Sequence, residues 1–157
     1  MCTMAVVVLR DVPNVSGIYA APTQSAVVRR PFLESPGAEA GFPSPAADYI
    51  EDELDLNEYL VRNRPATFFI RFKGDSLTDL GILDGDIGTV DRSLPAQEGR
   101  LVVAALDGDI VAKVYAMTEG RPALVSRNDR IRYPALYLDR FEDCVLWGCV
   151  TSIARRL

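Results

Sequence analysis

The chain has no histidine, and only two of its residues, Lys73 and Lys113, are lysines. The first absence excludes, within one subunit, a Ser–His–Asp triad, a Cys–His pair and any zinc site that needs imidazole. A hydrolase built on this chain must take its general base from a lysine, a carboxylate or an amine. Cysteine is scarce too. Cys2, Cys144 and Cys149 are odd in number and follow neither a metal-site spacing nor a disulfide framework, which suits a reducing cytoplasm. Cys144 and Cys149 flank an apolar stretch and read as small core residues. Long apolar runs are missing: Met4 to Leu9 is far too short to cross a bilayer and no basic residue precedes it. Neither a membrane anchor nor export is expected. Positive charge is in deficit as well, 17 basic against 22 acidic residues for a net charge of -5. Such a surface repels phosphate backbones, so no direct DNA binding is expected; Arg155 and Arg156 are too few to make a basic patch.

What is there fits one domain and a tail. At 157 residues the chain can bury a real core, and 48% hydrophobic with 25% charged residues is ordinary for a soluble globular protein. Residues 1–47 carry Pro13, Pro22, Pro31, Pro36, Pro43 and Pro45. Proline fixes φ and lacks a donor, so this part reads as an extended, largely irregular arm, with short edge strands possible at Val6 to Leu9 and Ala26 to Val28. Residues 48–157 read as the folded domain. Ile50, Leu54 and Tyr59 lie roughly at helical spacing, which predicts a helix within Asp48 to Leu60, and Asp55 can cap a short final turn. Strands are predicted at Thr67 to Phe72, Asp86 to Asp91, Leu101 to Leu106, Asp109 to Ala116, Ala123 to Ser126 and Val145 to Ile153. Asp107-Gly108 is a strong hairpin signal between two of them. The fold class is mostly β: a compact, antiparallel, barrel-like domain behind an extended arm.

Two places can carry chemistry. Lys113 interrupts the apolar run from Ile110 to Ala116, where Val111, Lys113 and Tyr115 share one strand face. It reads either as a gatekeeping charge on an edge strand or as a desolvated lysine whose lowered pKa makes it a base. Ser76 follows the strand Thr67 to Phe72 and the turn-forming Gly74, ahead of one helical turn at Leu77 to Leu80. It reads either as a helix cap or as a nucleophile at a strand-to-helix junction whose backbone N–H groups can hold an oxyanion. Lys73 is the rival base, and Arg71 beside it suggests a solvated face.

Three segments resemble one family. GDSLTDLGILDGDIGTVDR at 74–92 is similar to the nucleophile segment of the LexA/UmuD-type self-cleaving proteases, and DGDIVAKVY at 107–115 to the segment with their catalytic lysine. AGFPSPAADYIEDELDLNEYL at 40–60 resembles the region around and after the UmuD cleavage site. Ser76 and Lys113 stand 37 residues apart, as in the UmuD branch, and the likeness to UmuD is closer than that to LexA. Leu77 replaces the family's Met, a volume-conserving exchange.

The resemblance implies a Ser–Lys dyad: Ser76 the nucleophile, Lys113 the general base, and the backbone N–H groups of Asp75 and Ser76 the oxyanion hole. The scissile bond would be Ala40-Gly41, with no metal or cofactor. It further implies a cytoplasmic homodimer of the DNA-damage (SOS) response. A RecA–single-stranded-DNA filament would stimulate its cleavage, and the product would be an accessory subunit of an error-prone, UmuC-like Y-family polymerase. Nothing resembles the LexA helix-turn-helix, so repression is not expected. The alternative is a polymerase-regulating binding module with a vestigial dyad.

Overall fold

A computed structural model describes the backbone of residues 15–20 and 30–33 and the whole of 50–157, with side chains from Leu54 onward. Among the described residues ten strands follow one another: β1 (Val15–Ala20), β2 (Arg30–Leu33), β3 (Ile50–Leu54), β4 (Thr67–Phe72), β5 (Ile87–Asp91), β6 (Leu101–Leu106), β7 (Asp109–Thr118), β8 (Arg121–Val125), β9 (Leu136–Tyr137) and β10 (Cys144–Ala154). One short helix, α1, spans Leu56–Leu60. Eight strands form an antiparallel sheet in the order β1-β4-β5-β10-β6-β7-β8-β9, and β2 pairs with β3 separately. The mostly β, antiparallel expectation holds. Among the described residues no helix is long and apolar enough to cross a membrane.

The strands at Thr67–Phe72 and Leu101–Leu106 fall at the expected positions. One expectation needs correction. The predicted helix within Asp48 to Leu60 is a strand over Ile50–Leu54, and only Leu56–Leu60 is helical. Asp55 separates the two; its carboxylate accepts from Asn57 N–H at 2.8 Å and starts the helix there. The proline-rich segment also holds β1, which pairs with β4, and β2. The suggested strands at 6–9 and 26–28 lie outside the described residues.

Turn chemistry sets the register of the central meander. Asp107 and Gly108 both take positive φ, 48° and 90°, the pattern of a two-residue hairpin turn. Glu119 and Gly120 do the same, at 54° and 74°, and join β7 to β8. The long β10 pairs with β6 through its first half and β5 through its second, with irregular register at Leu146/Gly148 and Val150/Ser152. At Gly148, a Cβ would lie 2.5 Å from the Asp91 carbonyl oxygen, so only glycine admits this approach.

Such bulges bend a sheet. In a flat sheet, β4 and β7 would stand about 19 Å apart, four strand spacings. Here β1, the neighbour of β4, comes into contact with β7. The sheet curls back on itself, barrel-like, and both faces of β7 are buried. Ile110 and Ala112 join a core of Phe68, Ile70, Phe72, Leu77, Ile82, Val90 and Val103, while Val111 joins Val102, Ala104, Leu106, Leu124 and Cys149.

Candidate active site

Lys113 sits in the interior of the sheet. β7 lies between β6 and β8, with Lys113 opposite Val102, and the side chain is 5% exposed. The gatekeeper reading fails on both counts, since this is neither an edge strand nor a solvated charge. Burial pushes the lysine pKa below its ordinary 10.5. Its Nζ donates to Ser126 Oγ at 2.7 Å and stands 5.4 Å from the centre of the Tyr133 ring. Lys73, in contrast, is exposed.

Ser76 lies between β4 and a single 3₁₀ turn at Thr78–Leu80, and is 3% exposed. Its neighbour Leu77 anchors the turn in the core. The Gly74 N–H is held by the Asp84 carboxylate at 2.7 Å, which ties the approach to Ser76 to the following loop. A cavity of about 10 Å³ beside Ser76, lined also by Phe72, Lys73, Gly74, Leu77 and Ile82, has room for one water-sized group. A larger cavity of about 630 Å³, lined by residues such as Tyr59, Arg62 and Asp91, includes neither Ser76 nor Lys113.

The segment after β8 bridges these two regions. Arg127 N–H donates to the Ser76 carbonyl at 2.8 Å, and Asp79 N–H donates to the Arg127 carbonyl at 3.0 Å. One residue earlier, Ser126 accepts from Lys113. One residue later, Asn128 Nδ2 donates to the Asp75 carbonyl at 2.8 Å, while its Oδ1 accepts from the N–H groups of Arg130 and Ile131. A second bridge is Tyr133, whose hydroxyl donates to the Asp75 carboxylate while its ring covers the lysine. Ser76, in the loop after β4, and Lys113, on the non-adjacent β7, are therefore fastened to the same short stretch of chain.

Ser126, Asn128 and Tyr133 are the site residues that sequence reasoning missed. One signal was available. Thr118 pairs with Arg121 across the Glu119-Gly120 turn, and counting outward in that register places Ser126 opposite Lys113. The Ala40-Gly41 bond lies outside the described residues.

The chain resembles known proteins over most of its length. The Peptidase S24-like family matches residues 31–151. Protein SamA of Salmonella typhimurium is 38% identical over 139 residues, covering 88% of this chain and 95% of that protein. Protein MucA of Escherichia coli is 43% identical over 113 residues, covering 71% of this chain and 75% of that protein. The LexA repressor of Clostridium kluyveri is 32% identical over 117 residues, 74% of this chain and 55% of that protein.

Proposed function

Because the chain belongs to the Peptidase S24-like family, the self-cleaving serine proteases that include the LexA/UmuD type, we propose that it cuts its own arm at Ala40-Gly41 with a Ser76–Lys113 dyad. The observation that carries this reading is the burial of Lys113 on a strand whose partner segment is bonded to Ser76. Among the described residues its hydrogen-bond partner is the Ser126 hydroxyl rather than a carboxylate, and a buried amine in such surroundings gives up its proton easily.

In the proposed reaction, neutral Lys113 Nζ takes the hydroxyl proton of Ser76 as Oγ attacks the carbonyl carbon of Ala40. The backbone N–H groups of Asp75 and Ser76 hold the developing oxyanion. Collapse breaks the C–N bond, and the Lys113 ammonium gives its proton to the leaving amine of Gly41. Water then attacks the Ser76 ester as Lys113 takes one of its protons; collapse breaks the ester C–O bond, Lys113 returns that proton to Ser76 Oγ, and the Ala40 carboxylic acid leaves and ionises in solvent. Small residues on both sides of the scissile bond suit a nucleophile beside a cavity of about 10 Å³.

The wider reading places this chemistry in the cytoplasm, in a homodimer, within the SOS response. The RecA–single-stranded-DNA filament stimulates the cut, and residues 41–157 then serve a UmuC-like Y-family polymerase. Likeness to SamA and MucA supports it. The test is mutational: Ser76→Ala and Lys113→Ala each abolish cleavage in a folded protein, and Lys73→Ala does not. Cleavage by Lys113→Ala at the wild-type rate would overturn the base assignment.

A further inference from the structure

We propose that Ser126 is the positioning residue that aims the Lys113 amine at Ser76. The inference rests on the dyad reading above and adds a third side chain to it. A neutral lysine amine carries two N–H bonds and one lone pair at the end of a flexible four-carbon stem. To work as a base, it must point the lone pair at one oxygen. Burial alone does not do that, because an apolar wall has no directional preference.

Ser126 Oγ supplies the direction. At 2.7 Å it takes one N–H of Lys113 and so restricts rotation about the terminal bond. Its own position is fixed from both sides. Leu124 and Val125 are in the β7–β8 ladder, and Arg127 is bonded to the Ser76 carbonyl at 2.8 Å. The oxygen that anchors the amine is thus one residue from the segment that holds the nucleophile. Tyr133 closes another side, with its ring 5.4 Å from Nζ and its hydroxyl on Asp75. Val102, opposite on β6, brings no charge. Among the described residues, the charged group tied to this corner is the Asp75 carboxylate, which the Tyr133 hydroxyl binds.

The hydroxyl's role is direction rather than pKa lowering. An acceptor binds an ammonium more strongly than an amine, so Ser126 works slightly against deprotonation. Losing it therefore has two opposed effects: more lysine is neutral at a given pH, yet the neutral lysine is badly aimed. This separates positioning from simple tuning.

The experiment follows self-cleavage of the full chain by intact mass, from neutral to strongly alkaline pH, in wild type, Ser126→Ala and Ser126→Thr. Lys113 is titrated in parallel by NMR of ¹³C-lysine in the uncleavable Ser76→Ala background, where the chain's two lysines give two signals. Ser126→Ala should lower the alkaline plateau about 10- to 100-fold and move the Lys113 midpoint to lower pH. Ser126→Thr, which keeps the hydroxyl, should stay within about threefold of wild type by the same geometric argument. If Ser126→Ala does not fold, Ser126→Val, which has the shape of threonine without the hydroxyl, carries the same prediction. An unchanged plateau in Ser126→Ala, or an equal loss in the Ala and Thr variants, overturns the positioning role and leaves the dyad standing. A wild-type chain that cuts at no pH overturns both.

Discussion

The hydroxyl of Tyr133 donates to the carboxylate of Asp75, 58 positions earlier in the chain and the immediate neighbour of Ser76. The bond to Asp75, then burial, raise the tyrosine pKa above its ordinary 10.0, because a phenolate beside a carboxylate is disfavoured. The bond therefore persists into the alkaline range where Lys113 is neutral. Tyr133→Phe removes this bond and keeps the ring over the lysine; it should slow cleavage about threefold to tenfold. Tyr133→Leu removes both and should slow it by about a further tenfold. Rates measured by intact mass that are equal in wild type and both variants would contradict this.

Lys113 should weaken the fold at neutral pH. Its folded pKa lies below 10.5 because burial disfavours the ammonium. Between that lowered value and 10.5 the unfolded chain binds the extra proton, so stability rises with pH across the window and the penalty vanishes above it. Lys113→Met keeps the bulk and removes the buried amine. It leaves Ser126 without its donor, a loss of about 1 kcal/mol, against a larger relief from desolvation. Relative to uncleavable Ser76→Ala, it should be more stable at neutral pH by on the order of 1 kcal/mol, and the gain should shrink toward alkaline pH. Urea unfolding at several pH values checks this. A clearly less stable Lys113→Met would mean that the lysine is charged and well paired in the native state.

Arg155 clamps the loop that follows the Ser76 turn. It donates to both oxygens of Asp86 at 2.6 Å and to the Gly81 carbonyl at 2.6 Å, while Leu83 N–H donates to Asp86 as well. The Arg155 bond holds the Asp86 carboxyl below its usual 3.8. A lowered carboxylate pKa contributes stability above the unfolded value and loses it as pH falls through the folded value. Arg155→Ala should thus lower the urea midpoint at neutral pH, by an amount moderated because the guanidinium is 41% exposed and screened. Below pH 3.8 the difference from wild type should fade as Asp86 becomes protonated. Equal urea midpoints at neutral pH would contradict the clamp.

Much of this site was legible in local sequence, and the rest depended on pairing. Thr67–Phe72 and Leu101–Leu106 are short, largely apolar runs bounded by turn-forming residues, and Asp107-Gly108 is a turn whose residues tolerate positive φ, so each declares itself. Glu119-Gly120 forms the same kind of turn with a residue that rarely adopts it, so the hairpin that places Ser126 opposite Lys113 has only a weak local signature. Ile50–Leu54 misled because five residues fit either period, and its pairing with β2 decides the matter. Lys113 looked like an edge charge because its own strand does not reveal its neighbours. Tyr133 and Asn128 lie in irregular chain, where periodicity carries no information.

Self-cleavage by the dyad is tested most directly by the mass of the intact chain after incubation at alkaline pH, with and without RecA–single-stranded-DNA filaments. The wild-type chain should lose residues 1–40, leaving a product that begins Gly41-Phe42-Pro43, faster with filaments and not at all in Ser76→Ala. The filament effect should shrink as alkali deprotonates Lys113 directly. A chain that stays whole under every condition, or a fragment that begins elsewhere and persists in Ser76→Ala, would contradict the account.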